Sequence, residues 1–276
     1  MSGALSKGWE LAGVSARVLR ADKELLTFPI VSAISVLLAT IALAVPAWIL
    51  FSRGDLHQGP IEALATFTYY LVSNFIVTFF NAALCGAASV RLRGGDPTVM
   101  TGLRIAMSRI GVIFRFSLIA ATVGMVMRAL EGRNGRRTFL SSLIGAAWSI
   151  ATFLVVPVMV NEEIGAIDAV KKSSSLLKKM WGDQLSGRIT MGFLGLLGGL
   201  VLFAVVTPLI YLAGTTNNGQ LMFGSVTGFF VALGFLMLIV STLNSIYASA
   251  LYLHASGEQV GESEAMSMVR QALAGT

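Results

Sequence analysis

The side chains of this chain that could do chemistry are few and stand apart. Its two histidines, His57 and His254, and its one cysteine, Cys85, fall in different parts of the sequence. No set of Cys, His or carboxylate residues recurs at metal-ligand spacing. Neither histidine stands in the nucleophile context that a Ser-His-Asp arrangement needs. The stretch GMVMRALEGRNG lacks the lysine and the preceding strand of a phosphate-binding loop. A single cysteine cannot form an intramolecular disulfide, and Cys85, inside an apolar run, reads as a small packing residue. These residues predict no enzyme, no cofactor and no metal site.

What remains is polarity placed inside apolar segments, where it needs a reason. Asn74, Thr78 and Asn81 repeat at helical spacing on one face, and Asn244, flanked by Ser241 and Ser245, is a candidate counterpart. They could form a polar seam lining a pathway or pocket. They could instead hydrogen-bond between helices, at about 0.6 kcal/mol each. Three amides are few for a water-filled pore, which favours packing. No Asp or Glu lies at the middle of an apolar segment, which argues against a proton- or sodium-coupled carrier. Arg115, Lys171, Lys172, Lys178 and Lys179 are candidate contacts for lipid phosphate, Arg115 by snorkelling to the interface. Gly195 with Gly199, and Gly224 with Gly228, have the spacing that lets helix backbones approach closely in lipid.

The elements that carry these residues follow from composition. The chain is 55% hydrophobic and 12% charged, against about 25% charged in soluble domains, so its solvent is lipid. Six stretches are long enough to span: about Thr27–Phe51, Ile61–Val90, Ile110–Met127, Phe139–Val160, Ile189–Leu212 and Leu221–Leu253. Pro46, Pro157 and Pro208 fall near span ends, where they can kink or stop a helix. Between spans lie basic amphipathic segments of the kind that rest in the membrane interface. One carries Leu11, Val14, Val18 and Leu25; one carries Leu103, Ala106, Met107 and Ile110. A third has the stripe Ile164, Ile167, Val170, Ser174, Leu177 and Trp181. The expected architecture is all-α: a polytopic membrane protein of six transmembrane helices, with interfacial amphipathic helices preceding helix pairs. It reads as one membrane domain with repeat units 8–96, 97–163 and 164–254, and a tail, 255–276, holding one more surface helix at about Ala265–Leu273.

The net charge of +6 suits anionic headgroups better than nucleic acid, which is not expected as a partner. Lys7, Arg17, Arg20, Lys23, Arg91, Arg93, Arg104, Arg109, the four lysines above, Arg188 and Arg270 fall on one side of a six-span arrangement. The other side holds Arg53, Arg128, Arg133, Arg136 and Arg137. The positive-inside bias puts the first group, and both termini, in the cytoplasm. No cleaved signal peptide is expected, since the first 26 residues lack an apolar core and a small-residue cleavage site. The basic loop RALEGRNGRRTF opposes this orientation, and a re-entrant hairpin is its alternative. A cysteine at Asn134, in a chain lacking Cys85, should react with an impermeant thiol reagent on intact cells. Labelling only after permeabilisation would put that loop inside.

The opening run GWELAGVSARVLRADKELLTFP and the stretch AAWSIATFLVVPVMVNEEIGAIDAVKKSSSLLKKMWGDQL, Ala146 to Leu185, resemble a family of prokaryotic integral membrane proteins, domain of unknown function 6159. The resemblance runs from Lys7 to about Leu253. It implies a six-span prokaryotic protein of the cell membrane and brings no activity or site residue. The alternation of basic surface helix and span is also loosely similar to membrane domains attached to glycerophosphodiester phosphodiesterases, without their catalytic domain. The function expected is a non-enzymatic scaffold or assembly module binding lipids, forming a homo-oligomer or holding a partner membrane protein. An oligomeric channel or permease for a small solute is the alternative.

Overall fold

A computed structural model describes residues 13–52, 59–130, 139–179, 186–216 and 219–257. The loop arginines Arg133, Arg136 and Arg137, His57, Trp181 and the segment Ala265–Leu273 lie outside them. The described residues are almost all helical and include no strand. Helix α1 covers residues 13–21 and a 3-10 turn, Lys23–Leu26, leads into α2, Thr27–Ser52. There follow α3 (Gly59–Leu92), α4 (Val99–Ser108), α5 (Ile110–Leu130), α6 (Phe139–Ala151), α7 (Val155–Asn161), α8 (Ala166–Lys179), α9 (Ser186–Thr215) and α10 (Gly219–Ala255). Six segments are long and apolar enough to cross a membrane; one of them, Ser142–Asn161, combines parts of α6 and α7.

Burial is concentrated at one end of the bundle. The last turns of α3 (Ala82–Ser89, Leu92), all of Leu154–Val160, and Ser245–Leu253 of α10 are buried, with Leu25 in the 3-10 turn, Phe28 at the start of α2, and Ile113, Phe116 and Ser117 early in α5. Because successive spans run in opposite directions, these segments meet at the same end. The opposite halves of α2, α9 and α10 leave Leu37, Leu38, Phe203, Val205, Phe230 and Val231 exposed, as lipid-facing side chains should be. Trp48, Tyr211 and Phe223 are exposed near that far end, and Trp and Tyr are the residues that favour a membrane–water interface. Helices α3 and α10, with 34 and 37 residues, measure about 51 and 55 Å at 1.5 Å per residue, against roughly 30 Å of hydrocarbon. They exceed the hydrocarbon thickness.

Local chemistry sets the ends. Helix α3 stops where Gly94 takes φ 88°, a left-handed conformation that glycine adopts without strain. Thr98 then caps α4: its Oγ1 accepts from the Thr101 N–H at 3.2 Å. Helix α4 lies against α3 through small residues. A Cβ at Gly102 would stand 2.6 Å from both the Ala83 carbonyl oxygen and Phe28 Cζ.

The fourth span, expected at about Phe139–Val160, is present as Ser142–Asn161 but is interrupted. Residues Thr152–Leu154 form a turn between α6 and α7. Pro157 has no N–H to donate to the Phe153 carbonyl, so a continuous helix would lose that bond, whereas in the first turn of α7 proline is tolerated. The buried Leu154 N–H is satisfied from another element, donating to Ser173 Oγ of α8 at 3.0 Å.

Helix α8 buries Leu177 of the expected stripe together with a neighbouring set of residues. Its buried residues are Ala166, Ala169, Ser173, Leu176 and Leu177. Ile167 is 60% exposed, and Ile164, Val170 and Ser174 are only partly buried. Asp168 in the first turn and Lys178 and Lys179 in the last complement the helix dipole.

Candidate functional site

The polar residues of the packed end form a belt tying four elements together. Glu162, just past α7, is its hub. Glu162 Oε1 accepts from the Tyr252 hydroxyl of α10 at 2.7 Å, and Oε2 pairs with Lys172 Nζ of α8 at 2.5 Å. The Glu162 side chain is 19% exposed, so this is a shielded, charge-assisted contact. Beside it, Asn161 Nδ2 donates to Ser89 Oγ of α3 at 3.2 Å and to the Pro157 carbonyl at 2.8 Å. Glu163 pairs with Arg109, at the α4–α5 junction, at 3.2 Å, but its side chain is largely exposed, so this pair contributes little. The sequence Asn161-Glu162-Glu163 carries no local sign of this role, because every partner but Pro157 is remote in the chain.

Above the belt lies the amide seam. Ser245 Oγ of α10 donates to Asn81 Oδ1 of α3 at 2.8 Å, and Cys85 Sγ lies 3.7 Å from the same oxygen. Asn74 instead donates to the Tyr70 carbonyl of its own helix. Thr78 is buried. Asn244 is half-buried and makes no side-chain hydrogen bond among the described residues. Among the described residues the seam therefore narrows to Asn81 and Cys85 of α3 meeting Ser245 of α10, Cys85 Sγ also lying 3.8 Å from the Ser245 carbonyl oxygen.

The basic candidates separate by partner. Lys172 is held by Glu162, and Lys171 pairs with Asp168 at 3.4 Å on the surface. Lys178, Lys179 and Arg115 are exposed and pair with no carboxylate among the described residues. Among the candidate glycines, a Cβ at Gly195 would stand 3.7 Å from Val240 Cγ1, and one at neighbouring Gly198 would come within 2.8 Å of Leu236 Cδ2. A Cβ at Gly199, Gly224 or Gly228 would meet nothing within 4 Å. Close approach of α9 to α10 thus falls to Gly195 and Gly198, and the other three glycines lie on open helix surface.

An all-helical bundle with six apolar spans, polar groups spent on holding helices together, and lipid-facing side chains elsewhere is a multi-pass integral membrane protein. The chain belongs to the Family of unknown function (DUF6159), whose model matches residues 61–262. No curated protein matches it in sequence.

Proposed function

We propose that this chain is a non-enzymatic scaffold or assembly module of the prokaryotic cell membrane, with both termini in the cytoplasm. It binds anionic headgroups and assembles with itself or with a partner membrane protein. The observation that carries this reading is the use made of the polar groups. Asn81, Ser245, Asn161, Glu162, Tyr252 and Lys172 bond across helices, which leaves them as fasteners of a frame. Lys178, Lys179 and Arg115 remain for headgroup phosphate, and the open faces of Gly199, Gly224 and Gly228 suit a second helix.

Proteoliposome flux is the test. The scaffold reading expects no solute flux above that of empty liposomes. An Asn81→Leu chain that folds but abolishes a flux measured for the natural chain would sink it. Native mass spectrometry in nanodiscs should find a defined homo-oligomer or a stoichiometric partner.

One observation favours a second reading, an oligomeric channel or permease. The fourth span is interrupted at Thr152–Leu154, and interrupted helices line solute sites in many transporters. The same flux experiment decides between the two.

A further inference from the structure

At the packed end, the 3-10 turn before α2 and the loop before α4 enclose an open cleft of about 390 Å³, lined by Arg20, Asp22, Lys23, Glu24, Asp96 and Thr98 among others. It combines both signs of charge. It lies where the first span begins and just beyond the end of the second, so it faces the headgroup layer rather than the hydrocarbon. Asp22 is only 8% exposed, and its Oδ2 has no hydrogen-bond partner. A buried carboxylate oxygen without a donor is costly. Glu24 accepts from the Val99 N–H at 3.3 Å, and Asp96 pairs with Arg91 at 3.2 Å. Arg20 and Lys23 pair with no carboxylate among the described residues.

We propose that this cleft binds a phosphoethanolamine group, with its ammonium among Asp22, Glu24 and Asp96 and its phosphate at Arg20 and Lys23. An ammonium brings N–H donors to Asp22 Oδ2, which lacks one. A choline headgroup has the charge but no N–H. A purely anionic headgroup would face three carboxylates. The side chains Ile30, Val31 and Ile34 of α2 and Met100 of α4 are exposed beyond the cleft in sequence, an apolar continuation that suits acyl chains. The site is independent of whether the protein is a scaffold or a channel.

Burial pushes the Asp22 carboxyl above its ordinary value, the charges of Glu24 and Asp96 add to this, and Arg91 and the Glu24 backbone N–H oppose it. Asp22 thus destabilises the folded chain as pH rises through its folded-state value. Asp22→Asn removes that cost and should fold at least as well. Asp96 is 95% exposed, so Asp96→Ala should also fold normally.

The full chain in mild detergent is offered equal phosphatidylethanolamine, phosphatidylcholine and phosphatidylglycerol, and bound lipid is read by native mass spectrometry. The expected result is one retained phosphatidylethanolamine per chain, favoured about tenfold over phosphatidylcholine. That preference should fall to within about twofold in Asp22→Asn and in Asp96→Ala. Equal retention of the ethanolamine and choline lipids, or full preference surviving in Asp22→Asn, overturns the proposal. Displacement by soluble phosphoethanolamine would assign the group to a free zwitterion, and resistance to it would assign the group to the lipid; either supports the site.

Discussion

Gly102→Ala should lower the thermal midpoint of the detergent-solubilised protein by several degrees. The added methyl carbon would lie 2.6 Å from the Ala83 carbonyl oxygen and from Phe28 Cζ. A phenyl ring can swing, but a carbonyl inside α3 cannot move without disturbing the helix. Overpacking of this kind costs about 1–3 kcal/mol. At roughly 2–4 °C per kcal/mol for chains of this size, the shift is measurable. The control is Gly234→Ala, inside α10, where the new methyl meets nothing within 4 Å. Alanine is also the better helix former by about 1 kcal/mol, so that variant should match or exceed the natural chain. Equal melting of Gly102→Ala and the natural chain would mean that α4 does not sit this closely on α3.

Ser173→Ala tests the interrupted span. Ser173 is fully buried, and its hydroxyl is the acceptor for the Leu154 N–H. Removing it strands a backbone donor in a site water does not reach, at a cost of about 1–3 kcal/mol. The neighbouring Ser175 is exposed and bonds only to the Lys172 carbonyl of its own helix. Ser175→Ala should stay within about 0.5 kcal/mol of the natural chain. If the two alanine variants melt alike, the capping of α7 by α8 fails as an account of the interruption.

The sequence makes the six spans legible, since apolar stretches of about 20 residues have few alternatives. The interruption at Thr152–Leu154 is not legible, because hydropathy is uniform across it. Pro157 marks the neighbourhood, but the cap arrives from Ser173, 19 residues further on. Helix α8 meets the bundle partly through small residues, Ala166, Ala169 and Ser173, which let helices approach, and partly through Leu176 and Leu177, while Ile167 faces out. Pairing Asn81 with the Ser245 neighbourhood is half-legible: the polar types are evident, but which amide has a remote partner is not. The Glu162–Tyr252–Lys172 contact needs the fold itself, since Glu162 and Tyr252 lie 90 positions apart.

Burial concentrated at one end makes the molecule unequally stiff across the bilayer's thickness. Lateral pressure in the leaflet beside Ala82–Ser89, Leu154–Val160 and Ser245–Leu253 acts on helices already locked by side-chain packing and hydrogen bonds. The same pressure in the opposite leaflet acts on the exposed halves of α2, α9 and α10, where lipid is the main neighbour. A change in acyl-chain length or tension therefore does its work on the loose halves, and the clamped end serves as the fulcrum.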